Sequence, residues 1–202
     1  KSLSLEELKE EFALLSEKAF RATQTYDWMH KKLVRSFDEM TNLSKDFRQM
    51  CKEKFFFTSL EMLQMQESAI DGTRKYLFRL YDGNVVESVW MKYKHGNSVC
   101  ISSQVGCRMG CRFCASTLDG LVRNLTPSEM LDQIYAIRMI TNEPVSNVVI
   151  MGSGEPLDNY DNVLKFLKIV SSEEHLNIGM RHISLSTCGI VDKIYNLAKE
   201  NL

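Results

Sequence analysis

Residues Gln104 to Ser116 read "QVGCRMGCRFCAS", placing Cys107, Cys111 and Cys114 within eight positions. A closed structural zinc site takes four ligands, so a C-x3-C-x2-C triplet leaves one corner open. The remaining cysteines, Cys51, Cys100 and Cys188, are scattered, whereas a secreted disulfide scaffold is shorter and denser in cysteine. A tight cluster in an ordinary globular composition points to metal or redox chemistry. Three thiolates suit three corners of a [4Fe–4S] cubane, since such clusters are ligated by cysteine thiolates. The fourth iron is then open to a small molecule. A zinc site completed by a distant histidine is the competing reading of the same residues.

The chain has 202 residues, of which 44% are hydrophobic and 25% charged. That composition belongs to a globular protein with a sizeable core, and it suggests a cytoplasmic one. No apolar run approaches the ~20 residues of a membrane helix, so no membrane partner is expected. The acidic, amphipathic start "KSLSLEELKEEF" is unlike a secretory signal. A formal net charge of −1 does not by itself advertise a phosphate-rich partner.

Outward from the cysteines, the pattern divides the chain into three parts: a helical region over 1–68, a β-hairpin over 69–95, and a βα array over 96–202. Ser4 and Glu7 form a capping box ahead of Leu8, Phe12 and Leu15. A second helix is expected from Phe20 to Leu33, and Ser44 caps a third that ends near Phe55. Arg74 to Leu80 alternates, "YDGN" marks a turn, and Val85 to about Met91 returns. From Val99 the order becomes strand (Val99–Ser103), cysteine loop, and a helix capped by Thr126 with Pro127 at its first position. Strand Asn147–Met151, a helix with Val163, Phe166, Leu167 and Val170, strand Arg181–Thr187 and a helix from Val191 complete it. This rhythm defines an α/β chain with a parallel sheet and crossover helices. Three units do not close a barrel of six or eight, so the array reads as a fragment of a larger one. The cysteines follow the first strand, at the mouth where such barrels place their chemistry.

With Phe113 before the last cysteine, the motif resembles that of the radical S-adenosylmethionine superfamily. "CISSQVGCRMGCRFCAS", "RNLTPSEMLDQI", "MGSGEPLDNYDNV", "ISLSTCGIV" and "FRATQTYDWMHKKLVRSFDEMTNLSKDFR" resemble the RlmN/Cfr family of RNA adenine-C2 methyltransferases. The family more often has Met where Ser153 stands. The resemblance spans nearly the whole chain and implies that the α/β array is the first half, three βα units, of a partial (βα)6 TIM-like barrel, with the following roles. Cys107, Cys111 and Cys114 hold a [4Fe–4S] cluster, whose open iron chelates S-adenosylmethionine and, on reduction by a donor such as flavodoxin or ferredoxin, yields a 5′-deoxyadenosyl radical. Gly154, Glu155 and Ser186 bind S-adenosylmethionine. Glu87 accepts the C2 proton, and Cys100, as a thiolate, resolves a covalent protein–RNA link through a disulfide with a methyl-carrying cysteine. That cysteine has no counterpart among these residues, so the chain reads as C-terminally truncated and inactive alone. The targets are an adenine of 23S rRNA and the adenine beside the anticodon of some tRNAs.

From the residues themselves, Gly152 and Gly154 can let the backbone approach a ligand, but read alone they favour an ordinary Gly-rich βα turn. Glu155 is expected to receive an ammonium. Glu87, among valines and Trp90, could act as a general base of raised pKa, but read alone it is more often a solvent-facing strand residue. Cys188 reads as a buried small apolar residue. Arg108, Arg112 and Arg123 around the loop, with Lys31, Lys32, Arg35, Lys45, Arg48, Lys52 and Lys54 near Phe55 to Phe57, form basic patches that can bind the phosphates of the RNA that the resemblance implies, while a solvated mixed-charge helix face accounts equally well for Lys31 to Arg35. Two alternatives remain: another radical enzyme of the superfamily, or a zinc-stabilised RNA-binding module. Oligomeric state stays open, although the exposed strand edges of a half-barrel favour partner pairing.

Overall fold

The computed structural model describes all 202 residues. Helix α1 (Leu5–Leu14) starts where the capping box requires: Ser4 Oγ accepts from Glu7 N–H, and the Glu7 carboxylate accepts from Ser4 N–H at 2.7 Å. Helix α2 (Ala19–His30) stops short of Leu33, whose φ of 56° lies in the left-handed region and cannot continue the helix. Helix α3 (Lys45–Lys54) begins at Ser44, which accepts from Phe47 N–H. Leu8, Phe12, Tyr26, Met29, Phe37 and Phe47 close a core of their own within this helical unit.

Four antiparallel strands follow: β1 (Glu61–Glu67), β2 (Arg74–Arg79), β3 (Val85–Tyr93) and β4 (Gly96–Ile101). The short β5 (Gln104–Gly106) and β6 (Leu121–Asn124) form a separate pair that frames the cysteine loop. Then come α4 (Pro127–Thr141), β7 (Asn147–Ile150), α5 (Tyr160–Ser171), β8 (Ile183–Leu185) and α6 (Val191–Leu197). Strands β4, β7 and β8 are parallel, and the main sheet runs β1-β2-β3-β4-β7-β8. The hairpin therefore continues the parallel sheet, and both share one hydrophobic core.

Two elements depart from expectation. Strand β1, "EMLQMQE", falls in the region read as helical because Glu, Met, Leu and Gln are helix formers. Every one of its residues is exposed, so only its ladder with β2 makes it a strand. The β5–β6 pair is too short to carry a periodic signal.

Register decides which side chains share a face. Val89 pairs with Cys100, Cys100 with Val149, and Val149 with Ser184. Since partners across a ladder lie on one side and alternate along each strand, Glu87, Val89, Cys100, Val149 and Ser184 share one face. The other presents Tyr76, Phe78, Trp90, Val99, Ile101, Val148 and Ile150 to the core. Helix α4 is buried on nearly every side from Pro127 to Ile137, because it lies between this sheet and the helical unit. Its Tyr135 hydroxyl meets His30 Nδ1 at 2.6 Å, and Thr58 donates to Asp132 at 2.7 Å. Beside it, Tyr26 meets His175 Nδ1 at 2.9 Å, and the two histidine rings lie 4.1 Å apart. Burial holds both imidazoles below their ordinary pKa, His175 at about 4, so this junction is built from neutral rings. No helix is long and apolar enough to cross a membrane.

One buried amide ties α4 to the sheet. Gln133 Oε1 accepts from Ser88 Oγ and from Ser102 N–H, both at 2.8 Å, while Nε2 donates to the Ser102 and Glu129 carbonyls at 3.0 and 3.2 Å. Replacing it by Gln133→Leu strands the Ser88 hydroxyl and both Ser102 backbone groups. We expect urea denaturation to show a loss of about 3 kcal/mol, the cost of two or more unpaired buried groups; an unchanged midpoint would disprove this role.

Candidate functional site

The cysteine loop is held at its neck. Gly106 has φ 72°, and a Cβ there would lie 2.0 Å from the Gly120 carbonyl oxygen, so no other residue fits. Cys107 N–H then donates to that same oxygen at 2.9 Å. Further on, Cys114 N–H donates to Cys111 O at 3.0 Å, and Thr117 Oγ1 to Cys114 O at 2.9 Å. Cys107 is buried, Cys111 and Cys114 are half-buried, and Phe113 is almost fully exposed.

The turn after β7 is pressed onto the neck. A Cβ on Gly152 would lie 2.7 Å from Ser102 N, and one on Gly154, whose φ is 103°, would lie 2.5 Å from Gln104 Cβ. These glycines make room for the protein's own backbone, as an ordinary Gly-rich βα turn does, and both also line the cavity described next. Gln104, fully buried, completes the join: its Oε1 accepts from Glu155 N–H at 2.8 Å, and its Nε2 donates to Asn124 and Asp158. The buried Glu155 carboxylate is already engaged, accepting from Leu157 N–H (2.9 Å), Thr187 Oγ1 (2.7 Å) and Cys188 N–H (2.7 Å). Its first task is to clamp the β7–α5 turn to the β8–α6 loop. An ammonium would have to use the lone-pair capacity that remains.

These segments enclose a cavity of about 190 Å³, lined by Cys107, Cys111, Cys114, Glu155, Ser186 and Cys188 among others. A larger cleft of about 490 Å³ between α1 and α5 has no thiol in its lining. Ser186, held by its N–H to Ile150 O at 3.1 Å, joins Gly154 and Glu155 at the cavity wall. Cys188 is exposed rather than buried in a core, because the chain turns out of β8 before reaching it. Desolvation at the wall pushes its thiol up to about 11, and the charges of Glu155, Cys111 and Cys107 push the same way.

Glu87 and Cys100 lie outside this lining but on the sheet face described above. The neighbours expected for Glu87 are corrected by the register: Val86, Ser88 and Trp90 turn into the core, while the half-exposed Glu87 carboxylate pairs with Lys75 at 3.2 Å. Cys100 is half-buried, and burial raises its pKa against the opposing hydrogen bond from Met151 N–H. The basic patch is also corrected. Arg108 is bound to Asp158, and Arg123 to Asp82 and Glu129; of the three loop arginines only Arg112 enters no ion pair. Lys31 and Lys52 pair with Asp27 and Asp38.

The sequence reading missed Gln104, Gln133, Thr187 and Asn159, whose buried amide donates to the Ser103 and Leu125 carbonyls. An uncharged polar residue in a helix or flank carries no periodic mark, so only burial identifies these.

The donor set fits an iron–sulfur cluster. No three His, Cys, Asp or Glu side chains gather closely enough for a single ion, and no histidine lines the cavity. The four thiols of Cys107, Cys111, Cys114 and Cys188 line one space without converging on a single point, which suits ligands on different metal atoms better than a tetrahedral zinc.

A parallel half-barrel with a three-cysteine loop after its first parallel strand and a Gly-Glu-Pro turn after the second defines a class of cluster-binding barrel proteins. The chain belongs to the radical SAM superfamily, whose profile matches residues 101–202. The ribosomal RNA large subunit methyltransferase N-terminal domain matches residues 1–56. Among similar proteins, a probable dual-specificity RNA methyltransferase RlmN of Lachnospira eligens is 64% identical over 98% of this chain and 57% of its own length. A namesake from Clostridium novyi is 54% identical over 100% of this chain and 59% of its own. The crystal structure of a radical SAM methyltransferase from Sphaerobacter thermophilus superposes with a TM-score of 0.92 at 38% identity, covering 100% of this chain and 60% of that one. The chain thus spans somewhat over half the length of the curated relatives it matches.

Two outcomes test the site. Glu155→Gln replaces an acceptor of three hydrogen bonds by a group that must turn an NH2 toward one donor. Hydrogen exchange at the Cys188 amide should then speed up by about tenfold or more, since a bond to a charged group contributes about 1.5–3 kcal/mol; unchanged protection would count against the clamp. Alkylation of Cys100 by iodoacetamide, followed by peptide mass spectrometry, should rise with pH through a midpoint above the ~8.5 of a free cysteine, because burial disfavours the thiolate. A midpoint at or below that value would contradict the burial effect.

Proposed function

We propose that this chain carries the cluster-binding half of a methyltransferase that modifies C2 of an adenine in RNA, with 23S rRNA and tRNA as substrates. The observation that carries the reading is the meeting of Cys107, Cys111, Cys114, Gly154, Glu155 and Ser186 at one cavity, beside a sheet face bearing Cys100 and Glu87. The relatives' names supply the RNA substrate. When bound, the cluster and S-adenosylmethionine supply a 5′-deoxyadenosyl radical. Cys107, Cys111 and Cys114 hold the cluster. Ser186 and the free capacity of Glu155 orient the nucleotide's polar groups, and the packed β7–α5 turn limits water at the cavity.

Glu87 takes the proton from C2 of the adenine. To act as base it must leave Lys75, so the incoming base, presented unstacked as enzymatic chemistry on a nucleobase requires, displaces that surface ion pair. Cys100 supplies the thiolate that attacks the sulfur of the methyl-carrying cysteine, forming a disulfide as the sulfur–carbon bond to the methylated adenine breaks and the base leaves. Its raised pKa means that a neighbouring base, or the substrate itself, must help remove the thiol proton. The internal pairing of Arg108 and Arg123 shifts RNA contact toward Arg112, Lys45 and Lys54, which enter no ion pair. A reductant such as flavodoxin or ferredoxin completes the reaction, and a cytoplasmic setting suits both substrates.

Anaerobic reconstitution followed by metal analysis should give about four irons per chain and no stoichiometric zinc. Cys111→Ala should abolish iron retention. In the natural protein, Glu87→Gln and Cys100→Ala should keep the iron but abolish 2-methyladenosine in rRNA and tRNA, as read by nucleoside mass spectrometry. One zinc per chain, or methylation surviving Cys100→Ala, would overturn the proposal.

A further inference from the structure

The sequence offers three clustered cysteines, but the fold delivers a fourth thiol to the same cavity. Cys188 comes from the β8–α6 loop, an element separate from the cysteine loop, and lines the cavity together with Cys107, Cys111 and Cys114. Its backbone is fixed by the 2.7 Å bond to Glu155, and Thr187 is tied to the same carboxylate. Gly189 follows with φ 101°, so the residue just beyond the thiol sits in a conformation that favours glycine. Cys188 is exposed rather than packed in a core. Nothing in the proposed reaction uses it.

We propose that Cys188 is a fourth, displaceable ligand of the iron–sulfur cluster, occupying the corner left by the three loop cysteines until S-adenosylmethionine takes it. The inference rests on the cofactor reading above. It is a ligand exchange without electron transfer. The Cys188 thiol gives its proton to solvent, a sulfur–iron bond forms, and a water ligand leaves. When the nucleotide's amino and carboxylate groups bind, the sulfur–iron bond breaks and the thiol takes up a proton again. A cluster ligated by four thiolates has no solvent-bound iron, and so no corner that oxidation removes first. The Glu155 clamp then serves both states: it holds the loop within reach of the cluster and keeps the β7–α5 turn beside the displaced thiol.

The test compares wild-type protein with Cys188→Ala and Cys188→Ser, each reconstituted anaerobically, reduced, and examined by electron–nuclear double resonance in 17O-enriched water. Without S-adenosylmethionine, the wild type should show no 17O coupling at the cluster, and both variants should show it. After S-adenosylmethionine is added, all three should give the same spectrum. Brief exposure to air should convert the variants to a three-iron form several-fold faster than the wild type. A 17O coupling in the wild type before S-adenosylmethionine is added overturns the proposal, even if a variant fails to fold. Identical spectra of wild type and variants before addition overturn it equally. Both results leave the cluster itself intact, whereas a wild type that binds no iron refutes the cofactor reading and this inference with it.

Discussion

The last residue to leave the sheet before the cysteine loop is Ser102, and the side chain of Gln133 receives it. Strand β4 ends at Ile101, so the next peptide has no strand beside it to pair with. The Gln133 amide presents an acceptor to Ser102 N–H and a donor to Ser102 O, as a neighbouring strand would. Inside a protein an unpaired backbone group is costly and a fully satisfied one rigidifies its surroundings. The Ser102 hydroxyl then reaches the Glu87 carbonyl at 2.7 Å and receives Ser153 N–H at 3.0 Å. The ends of β3, β4 and the turn after β7 are therefore aligned through one residue, and the mouth of the half-barrel takes its shape from that alignment.

From this point outward the polar groups form a connected set. Gln104 bridges the neck of the cysteine loop to Glu155 and Asp158, and Asp158 holds Arg108. Arg123 joins the β5–β6 pair to the start of α4 through Glu129 and to the hairpin turn through Asp82. These arginines fasten the loop's surroundings in place, so the chain's near-neutral charge is also locally neutral around the loop.

Much of the architecture was legible because strong local signals agree with the final packing. The capping boxes of Ser4 with Glu7 and of Thr126 with Glu129, the Ser44 cap, Pro127 at its helix start and the β-α-β-α-β-α order all survive in the structure. The spacing of the three cysteines, and the Gly-Glu-Pro turn, marked the cavity. What escaped has a common cause. Strand β1 carries a helical composition and is made a strand only by pairing. Glu87 and Cys188 were given environments from their sequence neighbours, but alternation in a strand sends Val86 and Trp90 away from Glu87, and the exit from β8 brings Cys188 to the surface. Gln133 and Gln104 gave no sign because a buried amide is defined by partners dozens of residues away.

The alternation of the sheet also bears on how such a protein can change over generations. Glu87, Cys100 and Ser184 share a face only because the ladders from β3 to β8 keep their register. A single inserted or deleted residue within β3, β4, β7 or β8 would turn the strand over, sending reactive groups into the core and apolar ones outward. Length variation among descendants is thereby confined to segments that lie outside the ladders. The β1–β2 turn at Ser68 to Thr73 and the stretch from Ser172 to Gly179 are the natural places for it, while the strands drift by substitution alone.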